Sequence, residues 1–150
     1  MTALAIDIAA HVPHAGDMCL LESVTHWDAQ GLTAQTRQHR NPQMPLFSHA
    51  RLGVACGVEI AAQGMALHGA LLAGQSEAER PRAGFLASLR DVRFHVSRLD
   101  DIDAALQISV QRLSGDDNTV LYQFSVTGDG RPLLEGRAAV MLDAAKVNTP

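Results

Sequence analysis

Apolar and polar positions change period several times along the chain, and each change marks an element. Ala5 to Ala10 suits one or two helical turns, and Pro13-His14-Ala15-Gly16-Asp17 supplies a turn. Met18 to Ala29 is rich in residues that favour extended structure. Asp28-Ala29-Gln30-Gly31 then reads as a hairpin connection into a second strand, Leu32 to His39, where Leu32, Ala34 and Thr36 alternate. Pro42 and Pro45 lack amide hydrogens and restrict the residues before them, so Arg40 to Arg51 predicts an irregular loop. From Gly53 to Ala73 the apolar residues spread over the whole helical circumference, as in a helix enclosed by protein.

Gly74 to Arg82 stops that helix, and the period changes to two. Gly84–Val96, Ala104–Leu113, Thr119–Val126 and Pro132–Leu142 predict four strands, with turns at Ser114–Asn118 and Gly128-Asp129-Gly130. No repeat or linker divides the chain, so residues 1–150 read as one domain with a tail at 143–150. The order predicts an α+β fold in which a curved antiparallel sheet wraps one long central helix. A single sheet leaves part of such a helix bare, which predicts a dimer.

Composition narrows the function classes. Sixteen acidic against twelve basic residues give a formal charge of −4, the wrong sign for neutralising a nucleic-acid backbone. Glu59, Gln63 and His68 interrupt the most apolar segment, Leu52 to Ala73, and no basic or aromatic anchors flank it, so no membrane span is expected. The first 20 residues lack the basic start and unbroken apolar run of a secretion signal, and Cys19 and Cys56 are too few for a disulfide framework. The expectation is a soluble cytoplasmic protein.

Glu59 is the one carboxylate in a helix otherwise built for burial. Desolvation would disfavour its charged form and let it hold or donate a proton near neutral pH; a salt bridge to Arg51 or a wet helix edge would equally account for it. His49, ten positions earlier, is a natural proton acceptor, or a solvated turn residue. Amide hydrogens of Gly53 and Val54 at the helix start are candidate donors to a carbonyl oxygen that becomes negative during reaction. Cys56 is a candidate nucleophile or a small packing residue. His11 and His14 are three residues apart, but a zinc site needs further ligands and neither cysteine has a CxxC-type partner, so no metal is expected. Eleven of the twelve basic residues are arginine, and Arg80, Arg82, Arg90, Arg93 and Arg98 fall close together, suited to an acidic partner or a phosphate, or simply a bias of composition.

The order of elements and the residues around the helix resemble the hotdog-fold 3-hydroxyacyl-[acyl-carrier-protein] dehydratases over nearly the whole chain. Val12-Pro13-His14 and Leu20-Leu21, with Glu22-Ser23-Val24, are similar to the opening Leu-Pro-His turn and Leu-Leu strand of that family. Glu59-Ile60-Ala61-Ala62-Gln63 matches its catalytic Glu followed by Gln, Val92-Arg93-Phe94 a later strand, and Leu134 to Val140 the closing one. The usual His-Phe-Pro-Gly motif is missing: Pro45 stands where its His would be, His49 is the nearest substitute, and Pro-Gly is reduced to Leu52-Gly53. In this respect the loop resembles the divergent branch associated with aryl-polyene pigment clusters.

The resemblance implies dehydration of a 3-hydroxyacyl thioester on acyl carrier protein to a trans-2-enoyl thioester, in fatty-acid-like or aryl-polyene biosynthesis. His49 would take the C2 proton, Glu59 would assist departure of the C3 hydroxyl, Gly53 and Val54 would hold the thioester oxygen, and Met65 would line an acyl tunnel. It implies a homodimer with no metal or redox cofactor, the substrate arriving on the carrier's phosphopantetheine arm. Alternatives on the same fold are a thioester hydrolase, in which Glu59 activates water, and a non-catalytic acyl-binding subunit.

Overall fold

A helix with apolar residues on every side must be covered on every side. The computed structural model, which describes residues 3–11, 19–74, 84–116 and 118–142, solves this with one helix, α1 (Cys56–Gly74), and one six-stranded sheet. The strands are β1 (Ser23–Trp27), β2 (Gly31–Thr36), β3 (Gly84–Phe94), β4 (Leu106–Gly115), β5 (Thr119–Gly128) and β6 (Arg131–Leu142), in the spatial order β1-β2-β4-β5-β6-β3. Every pairing is antiparallel. The sheet around a central helix is the arrangement that the hotdog resemblance implies.

Residues paired across strands share a face. The rows Leu32–Val110–Phe124 and Ala34–Ile108–Val126–Leu134 therefore point together, and these side chains are buried with Ile60, Ala61, Met65 and Leu67 of α1. Gly57 lets the first turn of the helix rest on β6, since a Cβ there would stand 2.6 Å from a methyl of Leu134 that is itself fully enclosed. By length and composition α1 is apolar enough to cross a membrane, yet 61% of that window lies buried inside the fold.

Turn chemistry explains the hairpins. Asp129 and Gly130 between β5 and β6 have φ of 55° and 72°, the pair of positive values that a two-residue turn of this kind requires and that Asp-Gly supplies. Asp28 accepts the amides of Gln30 and Gly31 between β1 and β2, and Asp116 those of Asn118 and Thr119 between β4 and β5.

The expected elements differ mainly at their ends. The first helical stretch is a single 3-10 turn, Ile8–Ala10. The second strand stops at Thr36, because the next residues turn to bury His39, whose Nε2–H donates to the Ile102 carbonyl at 2.8 Å. The helix begins three residues later than expected, since 52–54 are held extended against 97–99. Val12-Pro13-His14, the Pro13–Asp17 turn, the connection after Gly74 with Arg80 and Arg82, and the tail at 143–150 lie outside the described residues.

His68, expected to be structural, joins helix to sheet. A carbonyl only accepts, so Nε2–H donates to Asp28 O at 2.8 Å, and Nδ1 accepts the Tyr122 hydroxyl proton at 2.8 Å. Burial lowers the pKa of both His68 and His39, and raises that of Tyr122 to about 12. The unfolded chain gains protons on these imidazoles below about pH 6.5 while the folded chain resists them. Stability is therefore full above that pH and falls beneath it, by up to about 1.4 kcal/mol per pH unit for each group. Urea midpoints are expected to decline from about pH 7 to about pH 5, with a shallower slope in His68→Gln.

Candidate active site

The chain enters α1 through a short bridge. Val54 N–H donates to Ser97 O at 3.1 Å and Leu99 N–H to Leu52 O at 2.8 Å, with Gly53 and Arg98 facing each other between these bonds. This corrects one expectation: the Val54 amide is already committed and is not available as an oxyanion donor. The amides of Gly53 and Ala55 make no hydrogen bond to another backbone group among the described residues, the Gly53 amide facing the Cys56 thiol, and nothing lies within 4 Å of the position a Gly53 side chain would take. Amides of Cys56, Gly57 and Val58 turn back to the carbonyls of Gly53, Val54 and Ala55, at 3.1, 2.9 and 3.1 Å, tightening the first turn.

Because α1 starts at Cys56, Glu59 stands in its first turn, four residues after Ala55, rather than two turns inside the helix. It is half-buried, less enclosed than the sequence suggests. One turn further, Gln63 is wholly buried and its Oε1 accepts the Leu20 amide at 2.8 Å, while Leu20 O accepts the Thr36 hydroxyl at 2.6 Å. Both backbone groups of Leu20 are thus held by buried side chains, which fixes this segment over the helix. Met65 is 1% exposed and packed within the core.

His49 is exposed at the tip of the 40–51 loop. Ser48 and Arg51 exchange backbone hydrogen bonds of 2.8 and 3.1 Å, which leaves His49 and Ala50 as the two central residues of a tight turn, with φ of 54° and 60°. Its Nδ1 lies 3.0 Å from the Ser48 hydroxyl. Among the described residues no hydrogen bond or ion pair joins His49 to Glu59. Cys56 is part-buried with its thiol toward Leu46 O at 3.9 Å, and burial pushes its pKa up, opposite to what a thiolate nucleophile needs.

Asp100 escaped the sequence reading. Its Oδ1 accepts the Leu52 amide and Arg98 Nε, each at 3.0 Å, and its Oδ2 accepts from Arg98 Nη2. The Arg98 guanidinium holds the carboxyl down to about 2. Arg98 is therefore paired with Asp100. An open cleft of about 330 Å³, lined by Val96, Ser97, Arg98, Asp101, Ile102 and Arg131, borders the bridge. No cluster of three or more His, Cys, Asp or Glu side chains suited to a metal ion occurs among the described residues.

A helix start with two amides outside the backbone ladder and a carboxyl in its first turn is suited to polarising a carbonyl and moving a proton beside it. Residues 6–149 match the model of the ApeP-like family, that of the ApeP dehydratase. The chain belongs to the ApeP-like family. The dehydratase expectation and the resemblance to the aryl-polyene branch are borne out, and the enzyme is a hydro-lyase. No curated protein matches. Among solved structures the chain is similar to one in the dehydratase heterocomplex ApeI:P from Xenorhabdus doucetiae, with 20% identity, a TM-score of 0.84, and 97% of this chain covering 100% of that one. It is also similar to a thioesterase mutant from Pseudomonas aeruginosa, with 13% identity, a TM-score of 0.57 and coverages of 80% and 79%. A hypothetical thioesterase from Streptococcus pneumoniae, in a structure with coenzyme A, has 11% identity, a TM-score of 0.58 and coverages of 80% and 84%. These likenesses show the fold, which dehydratases and thioesterases share.

The His49-Ala50 turn stores backbone strain, because a left-handed conformation costs an ordinary L-residue about 1–2 kcal/mol. Ala50→Gly relieves part of it, and its urea-derived stability is expected to rise by about 1 kcal/mol.

Proposed function

We propose that this dehydratase removes water from a 3-hydroxyacyl thioester carried on the phosphopantetheine arm of an acyl carrier protein, giving a trans-2-enoyl thioester for aryl-polyene synthesis in the cytoplasm. The observation that carries this reading is Glu59 in the first turn of α1, four residues after Ala55, with the amides of Gly53 and Ala55 outside the backbone ladder. The thioester carbonyl would accept hydrogen bonds from these amides, which acidifies C2 and stabilises the enolate-like oxygen as the C2 proton leaves. Glu59 would protonate the departing C3 hydroxyl, so that water is released and the C2–C3 double bond forms. His49 is the proposed base for the C2 proton, brought to the acid across a subunit contact. The exposed guanidiniums of Arg90 and Arg93 on β3 suit an acidic carrier surface.

Glu59→Gln is expected to lower dehydration turnover by on the order of 10² to 10⁴ without changing the melting temperature, measured as enoyl-thioester formation. His49→Ala is expected to fall within the same range; retention of most of the rate would remove His49 from the mechanism.

Assembly follows from what the helix leaves open. Leu86, Leu89 and Phe94 on β3 pair with Val140, Ala138 and Leu134, so they lie on the face that carries the core, yet they are 38%, 42% and 49% exposed. β3 is also an edge strand with unpaired backbone groups. On α1, Ala62, Ala66, Gly69 and Ala73 form a half-exposed stripe of small residues. A second hotdog subunit covering this rim accounts for all three features, and we assign a homodimer as the simplest form; the heterocomplex of the Xenorhabdus protein is the precedent for an unlike partner. Light scattering is expected to give the mass of an assembly for the native chain and of a single chain for the double variant Leu89→Asp, Phe94→Asp.

A further inference from the structure

The 40–51 loop carries His49 and delivers the chain to the amides at the start of α1, yet it is irregular, contains two prolines and ends in a strained turn. Something outside the loop must fix its two ends. Its first residue, Arg40, donates from Nη1 to the backbone carbonyl of Asp100 and forms an ion pair with Asp103 at 3.3 Å. The residue that follows its last one, Leu52, donates its amide to Asp100 Oδ1. One residue thus receives both ends, its carbonyl taking the entry and its carboxylate the exit.

The exit is the more tightly made of the two. Leu52 is fully buried, and its carbonyl accepts from Leu99 N–H while its amide is capped by Asp100. Arg98 grips both carboxylate oxygens from the strand side, and only 12% of the Asp100 side chain is exposed. A planar guanidinium fork orients a carboxylate in a way that a point charge cannot. Asp101 and Asp103 stand beside Asp100 in sequence and are both exposed; Asp103 adds an ion pair to Arg40 at the entry, whereas Asp100 meets both the entry and the exit.

We infer that Asp100, held by Arg98, is a positioning residue for the dehydration: it sets the height of Gly53 and Ala55 relative to Glu59 by pinning the Leu52 amide, and with it the end of the loop bearing His49. This rests on the reading that the chemistry occurs at the N-terminal end of α1. Asp100 makes no contact with the reacting atoms, and its effect passes through the backbone of residues 52–55. The Arg98 guanidinium holds the Asp100 carboxyl down to about 2, so near neutral pH it stays ionised and the junction works as a constant support there.

The test compares Asp100→Ala, Asp100→Asn and Arg98→Lys with Asp116→Ala, in the assembly in which the native chain purifies. Asp116→Ala also removes a carboxylate that caps two backbone amides, but at the turn between β4 and β5. Amide hydrogen exchange is followed over residues 49–56, together with kcat and KM for a 3-hydroxyacyl thioester on a carrier protein and the melting temperature. In Asp100→Ala, exchange at Leu52 should rise roughly tenfold or more. Its kcat should fall on the order of 10²-fold, as for a small misplacement of reacting groups, with KM changed by less than about threefold. Asp100→Asn, which keeps an acceptor for the Leu52 amide, should recover part of both losses, and Arg98→Lys should resemble it. Asp116→Ala should alter melting without a comparable fall in kcat. Unchanged exchange at Leu52 overturns the inference, as does a kcat loss no larger than in an Asp116→Ala protein of equal melting temperature. A native chain that does not dehydrate refutes the proposed function instead, and the exchange measurement then still decides whether Asp100 holds the junction.

Discussion

The need to enclose α1 governs the molecule. A helix of alanine, leucine and glycine with no polar face cannot rest on a surface, and each apolar group removed from water contributes on the order of 25 cal/mol per Å². The sheet supplies the cover by curving, with its interior rows ranked across β2, β4, β5 and β6. Three polar side chains drawn into that interior pair with specific partners. Gln63 satisfies the Leu20 amide, His68 joins Tyr122 to the β1–β2 turn, and Thr36 caps Leu20 O. Leaving such groups unpaired would cost more than the bonds themselves provide.

Enclosure also determines where chemistry can occur. In the middle of α1 the polar side chains Gln63 and His68 are buried and already hydrogen-bonded, and the half-exposed Ala62, Ala66 and Gly69 carry no reacting group, so chemistry is directed to its ends. At the N-terminal end the backbone is extended over residues 52–54 before it turns, which leaves Gly53 and Ala55 with donors that the helix ladder does not use. The same extension commits Val54 to Ser97. A shift of one residue decides which amides serve the fold and which remain for a ligand.

The sheet, its hairpins and the helix were legible in the sequence because each rests on local signals: alternation of period two, Asp-Gly at a tight turn, and apolar residues all round a helix. Ends were less legible, because they are fixed by partners far away in sequence. Cys56 rather than Gly53 begins α1 on account of Ser97 and Leu99, and β2 stops short because His39 turns to Ile102. Glu59 stood out as a carboxylate in an apolar helix, and Gln63 entered through a family pattern. Asp100 carried no signal of its own, since nothing in the run containing Asp100, Asp101 and Asp103 says which one Arg98 will grip. His49 was chosen for its proximity along the chain, and the loop sends it to an exposed tip.

In the proposed assembly, the rim of β3 would set how this chain tells one companion from another. Hydrogen bonds along an open edge are made by the main chain and are indifferent to sequence, so they would accept an identical subunit or an unlike one with equal ease. Selectivity in that assembly would therefore come from the fit around three exposed apolar side chains, Leu86, Leu89 and Phe94. Reshaping that small patch would change whom the chain joins while leaving its interior untouched.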